Sequence, residues 1–331
     1  MSSSKKRALI VLGVAISVVC LWLAFRGTNF ADVGAALAKA NAWLVLPVVL
    51  SQAAFYWIKA IRWRLLLAPM TRTTTWRVVP SMMIGFMANN VLPAHLGEFV
   101  RMFLGARDLG LGKAQVLATI VLERMFDFLS VVFFLAVVLT FGRGVPPGLA
   151  TTGYVVAVLG AASLAVAAVY IRWTDPFVAF VRRATGFLPA GLRAGLVQQL
   201  ELGAVGLHAM KSPRLLLGIL VTSLLQWALI GVGIYCSLVA VDVAVGYSAA
   251  FVVLAAVTFG VTLPAAPGFF GTIQLAFTLS LEPYGVEQSA AIAASVFFHV
   301  LTYLAVTLTG LWFLRRSGFG LRQVEAAATT D

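Results

Sequence analysis

Apolar residues in this chain come in long runs that end at short clusters of arginine and lysine. The runs predict helices at 8–25, 42–61, 114–141, 151–171, 213–240 and 289–314. Each approaches the roughly 20 residues that an α-helix needs to cross a hydrocarbon core. The pattern therefore predicts an all-α polytopic membrane protein with about six spanning helices.

Two further apolar stretches are interrupted by proline and glycine. In the first, at 76–107, Pro93 lacks the N–H that a helix needs and Gly97 weakens helix again. In the second, at 246–283, the interrupting residues are Pro264, Pro267, Gly268 and Gly271. A broken helix within a bilayer is tolerated only where protein or a water-filled cavity surrounds it. Both stretches are therefore predicted to be re-entrant hairpins that border a polar cavity.

The positions of the basic residues predict the topology. Arg72 and Arg77 lie before the break of the first hairpin, and Arg101 and Arg107 lie after it, whereas residues 215–314 contain no lysine or arginine. Because cytoplasmic loops carry an excess of lysine and arginine, the first hairpin should enter from the inside and the second from the outside. Lys59, Arg62 and Arg64 are interpreted as the cytoplasmic flank of helix 42–61. Both termini are predicted to be cytoplasmic, in a multi-pass protein of the cell inner membrane.

The order of elements predicts two related halves in a single membrane domain, 1–331. Residues 1–172 form the first half with the inner hairpin, and 212–316 form the second half with the outer hairpin. Residues 173–211 are expected to be a cytoplasmic amphipathic elbow, and 317–331 a disordered tail. Paired interrupted segments in inverted halves are a sequence sign of a transporter binding site. The alignment of the halves sets Arg124 opposite His299 and Phe128 opposite Tyr303.

Composition and charge restrict the partners. The chain carries 24 basic and 12 acidic residues, a net charge of +12, and only 11% of its residues are charged, against about a quarter in soluble domains. The basic residues lie at the ends of apolar runs, which indicates membrane lipids with anionic headgroups and excludes nucleic acid as a partner. Cys20 and Cys236 lie within apolar runs and are interpreted as small core residues.

A group of charged residues surrounds the first break. Glu98 and Arg101 are three residues apart, and so are Arg124 and Asp127, which places each pair on one helix face. In one interpretation these charges, with Glu123, only pair with each other and pin the hairpin to the next helix. In the other, Arg101 and Arg124 bind a phosphate together with His95, since arginine presents a planar fork of donors that fits phosphate.

Several uncharged groups complete the predicted substrate site. Asn89 and Asn90 are expected either to cap the first break or to hydrogen-bond across helices. Near the second break, His299 is either a satisfied interior histidine or a site group. The full predicted set of substrate-binding residues is Asn89, Asn90, His95, Glu98, Arg101, Glu123, Arg124, Asp127, Gln274, His299 and Tyr303.

Catalysis is not expected. The sequence contains no HExxH, no phosphate-binding Gly-Lys-Ser/Thr loop and no GxSxG. No catalytic residue, metal or cofactor is therefore predicted.

The combination of these motifs resembles a known family. The residues are Asn90-Val91-Leu92-Pro93, Gly97-Glu98, Arg101, Leu122-Glu123-Arg124, Asp127, Pro264, Pro267-Gly268 and Gly271. They resemble the lysylphosphatidylglycerol synthase transmembrane-region family of flippase-like integral membrane proteins. The resemblance implies a helical bundle that moves lipids between leaflets. The soluble aminoacyl-transferase domain of full-length synthases has no counterpart in the about fifteen residues after Arg316, so lysyl transfer is not expected. Where many relatives have an arginine in the last helix, this chain has His299, which leaves a fixed second positive site in question.

The sequence thus favours a flippase-like transporter of a phosphate-bearing lipid, either a phospholipid or a polyprenyl phosphate. The alternative is a non-transporting accessory subunit that presents lipid to a glycosyltransferase or synthase partner. A third interpretation, a small-solute transporter, predicts a cavity closed to lipid. The sequence leaves open whether the protein forms a homo-oligomer.

Overall fold

The computed structural model describes residues 3–92, 96–142, 144–147, 172–186, 188–209, 212–262 and 266–318, with single helical positions between 155 and 169. Five predictions fall outside these residues. They concern Pro93, His95 and Pro264, most of the predicted helix 151–171, and the tail beyond residue 318.

Every regular element in the described part of the chain is helical, which confirms the all-α prediction. The helices are α1 Ser3–Phe25, α2 Phe30–Ala38, α3 Val45–Leu67, α4 Thr75–Val91, α5 Gly97–Leu109, α6 Lys113–Phe141, α7 Thr174–Ala184, α8 Ala190–Ala209, α9 Pro213–Ala240, α10 Tyr247–Gly260, α11 Thr272–Leu281 and α12 Gln288–Arg316. Short 3₁₀ turns lie at Ala42–Leu44, Pro267–Phe269 and Glu282–Tyr284.

Four described segments are long and apolar enough to cross a membrane, and the protein is an integral membrane protein. They are Ala42–Leu67, Lys113–Phe141, Pro213–Ala240 and Gln288–Arg316. Residues Gly13–Phe25 and Phe30–Ala38 together form a bent pair, with an angle of 83° between them, that counts as a fifth if it is one span.

The first predicted break is present and its two limbs pack closely. Helix α4 ends at Val91 and α5 begins at Gly97. The Oδ1 of Asn89 accepts a hydrogen bond from the Gly97 N–H at 2.8 Å. A side chain at Gly97 would overlap the Gly85 carbonyl oxygen and the Asn89 side chain. The hairpin therefore closes by direct contact of the backbones, which only glycine permits here.

The second break is also present. Helix α10 ends at Gly260 and α11 begins at Thr272. Between them Gly268 and Gly271 adopt φ of 76° and 88°, a region that favours glycine. The turn Pro267–Phe269 contacts α4, so the two hairpins meet.

The two halves share a register. A shift of 175 residues brings the bounds of α6 onto those of α12, which are both 29 residues long. The same shift brings α5 onto residues 272–284, which are α11 with its following 3₁₀ turn. Gly110 and Gly285 occupy the same place in this register and have φ of 66° and 72°. The helix bounds of 97–141 thus recur in 272–316, whereas the two related halves and the opposite direction of entry of the hairpins stay predictions.

The elbow consists of α7 and α8, joined by an ion pair between Arg182 and Glu201. Helix α8 packs on α6, where Val197 lies in one apolar cluster with Val116 and Ile120. Its cytoplasmic location stays a prediction.

One prediction about α3 is wrong. The helix continues to Leu67 instead of ending near residue 61, and Lys59 and Arg62 are not at its flank. Their exposed fractions are 2% and 0%. They are buried because Glu123 and Asp127 of α6 neutralise them, so neither needs to reach the membrane surface.

Candidate functional site

A cavity of about 660 Å³ lies where the two hairpins meet. Helices α3, α4, α5, α6, α9, α10 and α12 all contribute to its lining. Most of the lining is apolar, as shown by Phe55, Phe86, Phe128 and Ile230. The polar lining residues are Gln52, Tyr56, Asn89, Asn90, Glu98, Arg124, Asp127, Thr258, Thr262 and Thr302.

Two of these residues tie the first hairpin to its surroundings. Asn89 caps the break, as described above. Asn90 donates from its Nδ2 to the Thr307 Oγ1 of α12 at 3.0 Å. Both amides thus have a structural role and also line the cavity.

Behind one wall of the cavity lies a cluster of buried charges. Asp127 accepts from Lys59 Nζ at 3.0 Å and lies 2.7 Å from a terminal nitrogen of Arg62. It also accepts from Gln226 Nε2 at 2.6 Å and Trp227 Nε1 at 3.0 Å. A carboxylate inside a membrane bundle requires such partners, and here they come from α3 and α9.

Arg101 belongs to this buried cluster and does not line the cavity. Its two terminal nitrogens donate to the two carboxylate oxygens of Glu123 at 2.9 and 2.7 Å. Its guanidinium carbon lies 3.9 Å from the centroid of the Trp63 ring. The structure therefore gives Arg101 and Glu123 the pinning contact of the first interpretation, between α5 and α6.

Arg124 is placed differently from the other cations of the cluster. Its side chain is 49% exposed and lines the cavity. It lies 3.2 Å from Glu98, 3.4 Å from Glu123 and 3.9 Å from Asp127. A guanidinium has five N–H donors, and these three distances are long for ion pairs. Arg124 therefore keeps N–H donors for a ligand.

The residues predicted near the second break lie together and are not among the residues that line the cavity. His299 Nε2 is 2.8 Å from the Gly268 carbonyl oxygen, and its Nδ1 is 3.1 Å from Gln274 Nε2. Gln274 Oε1 accepts from the Gly271 N–H at 2.8 Å. These contacts fit a neutral histidine that donates from Nε2 and accepts at Nδ1.

The Phe270 ring covers this group. Its centroid is 4.7 Å from that of His299 and 5.6 Å from that of Tyr303. The three predicted polar residues Gln274, His299 and Tyr303 thus support the second break. The Phe270 ring packs against the rings of His299 and Tyr303.

Sequence reasoning missed several members of the cluster, namely Lys59, Arg62, Ser223, Gln226 and Trp227. Arg62 donates to Ser223 Oγ at 3.0 Å. One available signal was the spacing of Lys59 and Arg62, which are three residues apart and so share a helix face, as Arg124 and Asp127 do. Another was Gln226, a large amide in the middle of a helix without charges after Arg214.

A second hollow of about 310 Å³ lies between α3, α4 and α12. It shares Gln52 and Tyr56 with the central cavity. Its other lining residues are nearly all apolar, among them Val79, Met82, Met83 and Phe313. Trp57 and Trp76 also line it and are exposed on the bundle surface; their ring centroids are 4.7 Å apart and their planes are tilted by 58°. An apolar groove therefore adjoins the central cavity and reaches the outside of the bundle.

The described residues contain no group of three histidine, cysteine or acidic side chains that could hold a metal ion. What the site offers is a half-exposed guanidinium in a largely apolar cavity with an apolar side groove. That arrangement suits an amphiphilic anion.

Comparisons with known proteins give one family and one relative. The family model described as lysylphosphatidylglycerol synthase TM region matches residues 10–310. The chain is also similar to glycosyltransferase AglD of Haloferax volcanii, with 27% identity over 344 aligned residues. The alignment covers 92% of this chain and 54% of the relative, so the chain spans about half the length of that protein.

Proposed function

Because this chain belongs to the lysylphosphatidylglycerol synthase transmembrane-region family, we propose that it moves a phosphate-bearing lipid between the leaflets of the membrane. The lipid phosphate binds at Arg124 in the central cavity. The family membership supports a membrane function that involves lipids, and the geometry of the cavity supports the choice of headgroup.

One observation carries the proposal: the half-exposed side chain of Arg124 in an otherwise mostly apolar cavity. A cation that is buried and held by two hydrogen bonds to one carboxylate serves structure, as Arg101 does. A cation that remains partly open inside a membrane bundle marks a pathway or a ligand site. Arginine binds phosphate through parallel N–H donors, so a phosphate is the ligand that fits.

The side groove supports a lipid over a small solute. It leads from Gln52 and Tyr56, at the cavity, to Trp57 and Trp76 on the surface. Tryptophan is enriched where a membrane meets water. A lipid held by its phosphate at Arg124 places its tail in this groove, whereas a small solute has no apolar tail to fill the groove.

Transport follows from rearrangement of the two hairpins. Their breaks meet at the cavity, and the bond from Asn90 to Thr307 links the first hairpin to α12. Rocking of one repeat against the other exposes a fixed site to each side in turn. We place both termini in the cytoplasm, with the protein in the cell inner membrane.

The test is lipid flipping in proteoliposomes, with labelled phospholipids and labelled polyprenyl-phosphate lipids. Arg124→Gln should lower the flipping rate at least tenfold. The matched control is Arg315→Gln, an exposed arginine at the end of α12, which should flip as the wild type does. If Arg124→Gln flips every lipid as fast as the wild type, the proposed site is wrong.

The similarity to a protein named glycosyltransferase AglD favours one second candidate function. In that case the chain presents lipid to a glycosyltransferase or synthase and does not transport it. Affinity purification from mild detergent separates the two functions. A stable enzyme partner, together with no flipping by the isolated chain, supports the accessory function and contradicts translocation.

A further inference from the structure

The charged cluster has an uneven count of opposite charges. Among the described residues its cations are Lys59, Arg62, Arg101 and Arg124, and its carboxylates are Glu98, Glu123 and Asp127. Four positive groups thus face three negative ones. The cluster carries one positive charge in excess.

Each carboxylate of the cluster is already paired with at least one of its cations. Glu123 is held by both terminal nitrogens of Arg101, and Asp127 by Lys59 and Arg62. Glu98 is left to pair with Arg124.

The excess can be balanced only where the cluster is open. The side chains of Lys59, Arg62 and Arg101 are at most 3% exposed, whereas that of Arg124 is 49% exposed and lines the cavity. An uncompensated charge inside a membrane bundle is unfavourable. The balancing anion therefore binds at Arg124.

From this count we infer that the cavity selects a lipid with a single negative charge, a phosphodiester, over a phosphomonoester or a diphosphate. One negative charge neutralises the cluster. A second one would stand beside Glu98, whose Oε1 is 3.2 Å from the Arg124 nitrogen that the phosphate needs. The repulsion between like charges is strong in a medium of low dielectric constant. The inference rests on the proposed function and names its substrate class.

Two kinds of lipid carry such a phosphodiester: a glycerophospholipid, and a polyprenol linked through phosphate to a sugar. Both present the same charge to Arg124. They differ in the tail and in the groups beyond the phosphate, so two parallel ligand series distinguish them.

The first experiment measures binding of each series to the full chain in detergent at pH 8, by displacement of a fluorescent phosphatidylglycerol. One series is dioleoyl phosphatidylglycerol, dioleoyl phosphatidic acid and dioleoylglycerol. The other is a glycosyl-phosphoryl polyprenol, the polyprenyl phosphate and the polyprenyl diphosphate. In at least one series, the phosphodiester should bind at least tenfold more tightly than each of the other two members of that series. The series with the tighter phosphodiester identifies the tail.

The second experiment changes the charge count by one. Glu98→Gln raises the excess to two, and the preference should shift at least tenfold toward the doubly charged monoester. The matched control is Asp108→Asn on the same helix, whose carboxylate pairs with Arg107 outside the cluster. It should keep the wild-type preference.

The outcomes separate this inference from the proposed function. If the wild type binds monoesters and phosphodiesters equally, or if Glu98→Gln keeps the wild-type preference, charge selection is wrong while flipping can still occur. If the preference follows the charge count but the wild type flips none of the bound lipids, the site binds as inferred and translocation is wrong. Failure to bind any of the anions overturns both.

Discussion

Arg101 and Glu123 are joined by two parallel hydrogen bonds, of 2.9 and 2.7 Å, that connect α5 to the spanning helix α6. Trp63 of α3 lies against the Arg101 guanidinium at 3.9 Å. Three helices thus meet at one buried ion pair. The pair holds the first hairpin against the wall that carries Arg124.

Breaking this pair from one side should be costly. Arg101→Met leaves Glu123 with fewer partners, and removing one member of a buried ion pair typically costs about 3–5 kcal/mol. Arg101→Lys keeps the charge but loses the second hydrogen bond and the flat contact with Trp63, so its effect should be intermediate. Unfolding in mixed micelles measures both. Arg107→Met is the matched control, because Arg107 lies on the exposed side of the same helix, and its effect should stay within about 0.5 kcal/mol.

The double variant Arg101→Met/Glu123→Met separates charge from packing. Removing both members takes away the two hydrogen bonds without leaving the buried Glu123 carboxylate short of its donor, so the double variant should be more stable than Arg101→Met alone. A double variant as unstable as the sum of the two single variants would show that the pair contributes through packing instead.

A methyl group at Gly97 should disrupt the first hairpin. Its Cβ would overlap the Gly85 carbonyl oxygen and the Asn89 side chain, and this backbone contact cannot relax without separating α4 from α5. Overpacking of this kind costs about 1–3 kcal/mol, and loss of the Asn89 cap adds about 1 kcal/mol. Gly195→Ala on α8 is the control, because a Cβ there has no atom within 4 Å. Thermal unfolding should show a lower transition temperature for Gly97→Ala only. Equal transition temperatures in the two variants would contradict the close contact.

The helices and both breaks could be predicted because their causes are local. The apolar run at 213–240 predicts a helix with the bounds that the structure has, and Pro93 and Gly97 predict the break in the first hairpin. The repeat could be aligned from Gly110 and Gly285, since each glycine adopts a positive φ before a helix of equal length. Length, hydropathy and turn residues act within a few positions of each other, so a single sequence contains them.

The arrangement of the charges could not be predicted from one sequence. The sequence predicts Lys59 and Arg62 at a membrane flank, because a basic residue near the end of an apolar run usually lies there. Their partner Asp127 is 68 positions from Lys59, and Gln226 is 99 positions from Asp127. Only the packing of α3, α6 and α9 shows that these side chains meet. The same packing decides which arginine is buried, Arg101, and which is open, Arg124.

His299 should prove to be a structural residue of the second break. His299→Phe keeps a ring of similar shape but leaves the Gly268 carbonyl and the Gln274 amide without their partners. Buried groups left unsatisfied cost about 1–3 kcal/mol each. The variant should therefore unfold more easily, while its preference among lipids of different charge stays that of the wild type. If the preference changes and the stability does not, His299 acts in ligand binding.

The apolar groove can be tested separately from the headgroup site. Ala53 lines the groove on α3 and is exposed, so Ala53→Trp can fill part of the 310 Å³ without disturbing the buried cluster. Flipping of a long-tailed lipid should fall severalfold, because an indole occupies the space of the tail. Displacement of the fluorescent probe by a short-chain, water-soluble phosphodiester should be unchanged, because Arg124 is untouched. The control is Leu46→Trp. Leu46 is exposed on the same helix, nearer its N-terminus, and does not line the groove, so this variant should flip lipid at the wild-type rate. Equal flipping by Ala53→Trp and Leu46→Trp would mean that the tail takes another route, whereas a loss of short-chain binding in Ala53→Trp would mean that the groove and the headgroup cavity are one site.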